Sequence, residues 1–241
     1  MIKNLFYNTN GTVRLFWACM VLYFNKKVRP VYTSRQGRDM LLLALIFEVG
    51  RVAVTYYKNN LGYTDLLLTG ITAMLLLFLV YTITKHIMGM KLKDIGLRNL
   101  STWNVYEKTY FILIVPIAIC IFYYFTKDKI AASMQENGAG LMALTFIFYL
   151  CWGFYQEWIY RGFIQTEFTR RYDAGTAILL ANIIFTFGPL HIYQLYQGQY
   201  LLIVATFLIG LVFGILYHRS YNLWIVGILH GIGNWFLVGI P

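Results

Sequence analysis

Charged residues are scarce in this sequence, and their scarcity excludes an ordinary soluble domain. They make up 12% of the 241 residues, whereas a soluble domain has about 25%. Hydrophobic residues make up 59% of the chain. The sequence also lacks internal repeats, low-complexity tracts, Pro/Gly/Ser-rich linkers and the pattern of a cleavable signal peptide. We therefore expect one integral membrane domain over residues 1–241.

Acidic residues are few as well, at 10 against 20 lysines and arginines, which gives a net charge of +10. The basic residues stand in loops beside apolar segments, which is typical of the positive-inside rule and favours contact with membrane lipids. Residues 89–99 alternate basic and apolar side chains, which predicts a segment on the cytoplasmic membrane surface. Basic and aromatic residues are not interleaved in the way that nucleic-acid binding favours, so we do not expect nucleic acid as a partner. The basic loop residues are Lys26, Lys27, Arg29, Arg35, Arg38, Lys85, Lys91, Lys93 and Arg98.

The three cysteines, Cys19, Cys120 and Cys151, lie far apart in apolar segments and make no metal-binding motif. We expect them to be small buried apolar side chains. The HExxH helix motif of zinc proteases is absent as well. The sequence therefore predicts neither a metal nor a cofactor.

Several segments reach the roughly 20 apolar residues that a membrane span needs. An eighth candidate, residues 12–24, is short and contains Arg14, and we interpret it as a tilted span rather than an interfacial helix. The basic loops, including Arg170-Arg171 and His218-Arg219, are expected on the cytoplasmic side. The predicted fold class is an all-α, polytopic transmembrane helical bundle of seven or eight spans. The seven main segments are 40–57, 63–84, 109–126, 140–163, 175–193, 199–217 and 221–239.

Three polar motifs lie inside segments that ought to be wholly apolar. Glu157 and Arg161 lie in one span, His191 in the next, and His230 and Asn234 in the last. Ionisable groups inside a membrane are costly, so they indicate function. Helical geometry places the three motifs at similar depth, and we expect them to form one buried site.

Local geometry also favours a shared site. Residues four apart lie on one helix face, which aligns Phe187 with His191. Gly231 and Gly233 are small enough to admit a neighbouring helix. Pro189 interrupts the helical hydrogen bonds, so a kink is expected beside His191.

These motifs resemble those of the CPBP family, the CAAX-processing and bacteriocin-processing membrane proteases that are also called Abi proteins. The family pattern is EExxxR in one span, FxxxH in the next and HxxxN in a later one. This chain has QEWIYR at 156–161, FGPLH at 187–191 and HGIGN at 230–234, in that order. The resemblance covers a protease-like core at about residues 140–240.

The chain departs from the family at Gln156, where the family has the glutamate regarded as the activator of water. A carboxylate accepts a proton, whereas a neutral amide does not. Gln156 is either the mark of a naturally non-hydrolysing member or a Glu→Gln replacement that disables turnover. We favour replacement, because the rest of the site is kept.

The resemblance implies a role for each motif. Position 156 would activate water, and His191 would orient that water or protonate the leaving amine. His230 and Asn234 would donate hydrogen bonds to the oxyanion. A zinc site built from the same residues would need Asn234, which is a poor zinc ligand, so metal-independent chemistry is expected. The implied catalytic residues are Gln156, His191, His230 and Asn234, and the implied supporting residues are Glu157, Arg161 and Phe187.

A further acidic–basic pair stands in the first main span, where Glu48 and Arg51 are three residues apart. We expect their opposite charges to neutralise each other, and we prefer this interpretation to one in which they line a substrate path.

The resulting hypothesis is an intramembrane endopeptidase in a bacterial plasma membrane. Its substrate would be a membrane-associated peptide or a CAAX-like protein tail, and Gln156 would leave this chain inactive or impaired. The alternative is a non-catalytic immunity or partner-binding scaffold protein of the same family. A small-molecule transporter is less favoured, because inverted repeats and further broken helices are not found.

Overall fold

The computed structural model describes residues 32–60, 66–188 and 191–241, which are mostly helical and contain no strand. The candidate span at 12–24 and the kink expected at Pro189 lie outside the described residues. The α-helices are α1 (Ser34–Asn60), α2 (Leu66–Thr82), α3 (Val105–Glu157), α4 (Thr166–Arg171), α5 (Ala174–Phe187), α6 (Ile192–Tyr196), α7 (Tyr200–Ser220) and α8 (Leu223–Asn234). The π-helical segments Ile83–Ile87, Trp158–Gln165 and Trp235–Gly239 extend α2, α3 and α8, and 3₁₀ turns lie at Leu92–Ile95 and Leu100–Thr102.

Within the described ranges, three continuous helical stretches are long and apolar enough to cross a membrane: Leu66–Ile87, Glu107–Arg171 and Tyr200–Ser220. Two shorter apolar helices, Ala174–Phe187 and Leu223–Gly239, accompany them. The all-helical, membrane-type architecture is therefore confirmed. The number of spans, seven or eight, stays a prediction.

Helix α3 contains two predicted spans, and Gly138 separates them. Its φ of 72° and ψ of 165° are not helical, and L side chains rarely adopt such a φ. Phe122, before this break, stacks on Phe236 with ring centroids 5.7 Å apart. Thr145, after the break, accepts a hydrogen bond of 3.0 Å from the Trp235 indole nitrogen. Both halves of α3 therefore pack against the π-helical segment that extends α8.

Large apolar side chains are exposed along α2, α3 and α7, as helices in contact with lipid require. Leu75 is 56% exposed and Phe125 is 78% exposed. Cys120 of α3 is exposed as well, so the prediction that it is buried is wrong. Cys151 is partly buried, and Cys19 lies outside the described residues.

The segments predicted to face the cytoplasm contact one another at one end of the bundle. The start of α1 contacts α4 and the loop after α2, and that loop contacts the turn between α7 and α8. This shared location is what the distribution of basic residues predicts. The contacts are Tyr32 Oη to Glu167 Oε2 at 2.9 Å, Gln36 Nε2 to the Met88 carbonyl at 3.2 Å, and Arg98 Nη2 to the Ser220 carbonyl at 2.9 Å.

Residues 89–99, which are predicted to lie on the membrane surface, are bonded into the bundle. Ile95 is fully buried, and its carbonyl accepts a hydrogen bond of 2.9 Å from the Tyr217 hydroxyl. Gly96 has a left-handed φ of 87°, and its carbonyl accepts from the Leu223 backbone nitrogen at 2.9 Å. The loop thereby fixes the start of α8.

Helices α3 and α8 come into backbone contact at two glycines. A Cβ atom on Gly153 would lie 2.3 Å from the Gly231 nitrogen, and one on Gly231 would lie 2.6 Å from the Leu150 Cα. The close approach predicted for Gly231 is therefore present. At Gly233 the nearest atom is Phe122 Cζ at 3.5 Å, which is an ordinary contact.

We expect Gly231→Ala to lower the thermal unfolding midpoint of the detergent-solubilised protein. The added methyl would overlap backbone atoms of α3, and overpacking costs about 1–3 kcal/mol. Gly233→Ala is the matched control on the same helix and should change the midpoint little. Equal midpoints for the two variants would contradict the close contact.

Candidate active site

The polar motifs of α3 and α8 are joined by two side-chain contacts. Asn234 Nδ2 donates a hydrogen bond of 3.2 Å to Gln156 Oε1. His230 Nδ1 lies 2.6 Å from Glu157 Oε1. Gln156, Glu157 and His230 are buried, and Asn234 is partly buried. Four of the seven predicted site residues are thus in direct contact across one helix interface.

Both helices leave α-helical geometry directly after these residues. The π-helical segment Trp158–Gln165 follows Glu157, and Trp235–Gly239 follows Asn234. Insertions of this kind are rare and are often found at functional sites. The pattern of motifs does not predict them.

Glu157 and Arg161 form a fully buried ion pair, with Arg161 Nε 3.3 Å from Glu157 Oε2. The other Glu157 oxygen contacts His230, and a carboxylate only accepts, so His230 Nδ1 carries the proton of that bond. Arg161 Nη2 also donates to the Gly210 carbonyl at 2.9 Å, and Nη1 to Gln165 Oε1 at 3.3 Å. The pair therefore connects α3, its π-helical extension, α7 and α8.

His191 does not lie in a continuous span over 175–193, so that prediction is wrong. Helix α5 ends at Phe187, and Gly188 is extended, with ψ of 179°. The next residue in the sequence is a proline, which disfavours helical dihedrals at Gly188. A Cβ on Gly188 would lie 2.3 Å from the Ile184 carbonyl oxygen, so only glycine fits there. His191 follows in a turn and donates its backbone N–H to the Gly188 carbonyl at 3.2 Å.

The aromatic residue at the histidines is therefore Phe185, and the alignment of Phe187 with His191 on one helix face is wrong. Phe187 is 45% exposed and packs beside Phe207. Phe185 is buried, and its ring centroid lies 5.0 Å from the His191 ring and 5.8 Å from the His230 ring. The sequence motifs do not identify Phe185. The Gly188-Pro189 pair is the signal that could have done so, because it indicates a helix break across which i,i+4 spacing does not hold.

The tautomer of His191 follows from one contact. Its Nδ1 lies 2.9 Å from the Phe185 carbonyl oxygen, which only accepts hydrogen bonds. Nδ1 therefore carries a hydrogen, and in the neutral ring Nε2 carries the lone pair. The partly buried His191 ring thus offers a proton acceptor, and it contacts the same Phe185 ring as His230 of α8.

The arrangement brings together several groups of the kinds that hydrolysis of an amide uses. It has a proton acceptor at His191 Nε2, an amide donor at Asn234 and an imidazole held by a carboxylate at His230. Position 156 itself is neutral. Among the described residues, no three His, Cys, Asp or Glu side chains are grouped so as to hold a metal ion, and metal-independent chemistry stays a prediction.

Residues 138–236, which are less than half of the chain, match the family model described as type II CAAX prenyl endopeptidase Rce1-like. This range contains all seven predicted site residues. The match confirms the family resemblance that the three motifs indicate. No curated protein and no solved structure matches the chain.

We expect Glu157→Gln to destabilise the protein strongly, because it leaves the buried Arg161 guanidinium without its anion. Removing one partner of a buried pair costs about 3–5 kcal/mol. Glu167→Gln is the matched control. Glu167 is also fully buried, but its partners Arg170 and Arg171 have side chains that are 31% and 40% exposed and remain hydrated.

The measurement is thermal unfolding of both variants in the same detergent. The midpoint should fall much further for Glu157→Gln than for Glu167→Gln. The reverse order would show that the Glu157–Arg161 pair is not the main internal charge pair of the site.

Proposed function

We propose that this chain, whose residues 138–236 belong to the type II CAAX prenyl endopeptidase family, is an intramembrane endopeptidase whose site is weakened by Gln156. Its substrate is a membrane-associated peptide or a CAAX-like protein tail, and its location is the bacterial plasma membrane. The observation that carries the proposal is the pair of contacts Gln156–Asn234 and Glu157–His230, with His191 held beside the same aromatic ring as His230.

The reaction is an addition of water to a peptide carbonyl, followed by loss of the amine. With a glutamate at position 156, the carboxylate takes a proton from a water molecule while the water oxygen bonds to the carbonyl carbon. Asn234 donates a hydrogen bond to the oxyanion, and His230 does so when it is protonated and Glu157 balances its charge. The C–N bond then breaks, and the proton passes to the leaving amine, directly or through His191.

Gln156 keeps the shape of this arrangement without its basicity. Its Oε1 atom accepts the Asn234 hydrogen bond that a carboxylate oxygen would accept. Its amide does not take a proton from water, so His191 Nε2 is the basic atom that remains for this step. The chain as it stands is therefore expected to bind a peptide and to cleave it slowly or not at all.

A non-catalytic scaffold or immunity protein is the second candidate, and Gln156 favours it specifically. The Gln156–Asn234 contact joins two neutral amides, so it does not depend on a catalytic carboxylate. The scaffold and the enzyme differ in whether restoring the carboxylate restores hydrolysis.

We expect Gln156→Glu in proteoliposomes to cleave a fluorogenic CAAX-like peptide at least about 100-fold faster than the unsubstituted chain, the usual gain from a positioned general base. Prenylated and unprenylated forms of the peptide are compared. Adding His191→Ala to Gln156→Glu should abolish the gain.

Gln199→Glu is the control, because Gln199 is exposed and the substitution adds the same charge away from the site. If Gln156→Glu cleaves neither peptide while its unfolding midpoint is normal, the hydrolase proposal is wrong. Saturable binding of the uncleaved peptide would then favour the scaffold.

A further inference from the structure

A second buried charged pair lies beside the site and comes from a helix outside the matched segment 138–236. Glu48 and Arg51 of α1 are 6% and 4% exposed, and Arg51 Nη2 lies 2.7 Å from Glu48 Oε2. Arg51 Nε lies 3.3 Å from both carboxylate oxygens. The mutual neutralisation expected from the sequence is therefore present, but it is only part of what Glu48 does.

Glu48 also accepts hydrogen bonds from two tyrosines, one in α3 and one in its π-helical extension. The Tyr160 hydroxyl donates to Oε2 at 2.9 Å, and the Tyr155 hydroxyl donates to Oε1 at 3.5 Å. Both tyrosines are buried. A charged acceptor makes stronger hydrogen bonds than a neutral one, so the Tyr160 hydroxyl is firmly held.

The Tyr160 ring connects Glu48 to the residue that contacts both site histidines. It packs edge-on against the Phe185 ring, with centroids 5.0 Å apart. The Phe185 carbonyl accepts from His191 Nδ1, and the Phe185 ring contacts His191 and His230. A continuous path of contacts therefore runs from Glu48 through Tyr160 and Phe185 to the histidines.

The tyrosines differ in what their rings touch, although both bond the same carboxylate. The Tyr155 ring packs against Phe47 and Trp152, at 6.2 and 5.7 Å between centroids. The Tyr160 ring packs against Phe185. Tyr155 is thus a matched control for Tyr160.

Glu48 is better suited to holding its neighbours than to taking a proton from water. Its oxygens already accept from Arg51 and the two tyrosines, and its charge is balanced by Arg51. The opposite charges of Glu48 and Arg51 lie 2.7 Å apart, so their electrostatic effects on more distant groups oppose each other. The influence of Glu48 on His191 is therefore geometric.

We propose that Glu48 is a positioning residue of this site: through Tyr160 and Phe185 it fixes the ring orientation and tautomer of His191. This inference rests on the proposed function for its catalytic consequence, but the geometry it describes can be measured without cleavage. It makes α1 a required part of a site whose motifs all lie after residue 155.

The first test reads the histidine rings of ¹⁵N-histidine-labelled chain in nanodiscs by NMR. The chain has four histidines, and His191→Ala assigns the signal of interest. We expect His191 to be protonated at Nδ1 and unprotonated at Nε2. Tyr160→Phe should disturb this tautomer, whereas Tyr155→Phe should leave it unchanged.

Glu48→Gln alone leaves a buried Arg51 unbalanced and risks loss of folding. The double variant Glu48→Leu/Arg51→Met removes both charges and the acceptor of the tyrosine hydrogen bonds, and it avoids that cost. It should alter the His191 signals as Tyr160→Phe does. Unchanged His191 signals in both Tyr160→Phe and the double variant would overturn the proposal.

The second test measures cleavage in the Gln156→Glu background. Tyr160→Phe should lower kcat about tenfold with little change in KM, since small misplacements of catalytic groups cost this much or more. Tyr155→Phe should change neither constant appreciably. A loss of folded protein with kcat unchanged per folded molecule would indicate a merely structural role and would contradict the proposal.

The two arms separate this inference from the proposed function. If Gln156→Glu cleaves no peptide, the hydrolase proposal fails and the NMR arm alone decides the role of Glu48. If cleavage occurs but Tyr160→Phe leaves both the tautomer and kcat unchanged, the role of Glu48 is wrong and the hydrolase proposal stands.

Discussion

The backbone contact between Gly153 and Gly231 is the constraint on which the site depends. Because neither residue has a side chain, α3 and α8 approach closely enough for polar side chains near the two glycines to meet. Gln156 then contacts Asn234 and Glu157 contacts His230. Bulky residues at the contact would separate the helices, and the two polar contacts would be lost together.

Charge inside a lipid-exposed bundle has to be balanced locally, and Glu157 shows how this is done. One oxygen contacts His230 and the other contacts Arg161, so the carboxylate is bonded on both sides. Arg161 donates in turn to the Gly210 carbonyl of α7.

Sequence predicted the family, the helical membrane architecture and the proximity of the motifs at 156–161 and 230–234, because these depend on spacing within regular helices. The sequence did not predict the features that depend on departures from regular helices. The helix break at Gly188 puts Phe185 rather than Phe187 beside the histidines. The π-helical segments and the contact of Glu48 with Tyr160 depend on tertiary packing, which no local pattern encodes.

The charges around Gln156 explain why a neutral side chain is favourable at this position. Glu157, next to it, already has both of its oxygens bonded to cationic or protonated partners, whereas the contact made by Gln156 is with the neutral amide of Asn234. A carboxylate at position 156 would have no positive group in that contact, and a buried, poorly compensated charge is unfavourable. The same property makes such a carboxylate a good proton acceptor, because protonation relieves the unfavourable charge. A carboxylate that the proposed catalysis would require is therefore one that stability disfavours, and the glutamine preserves the shape of the site without the charge.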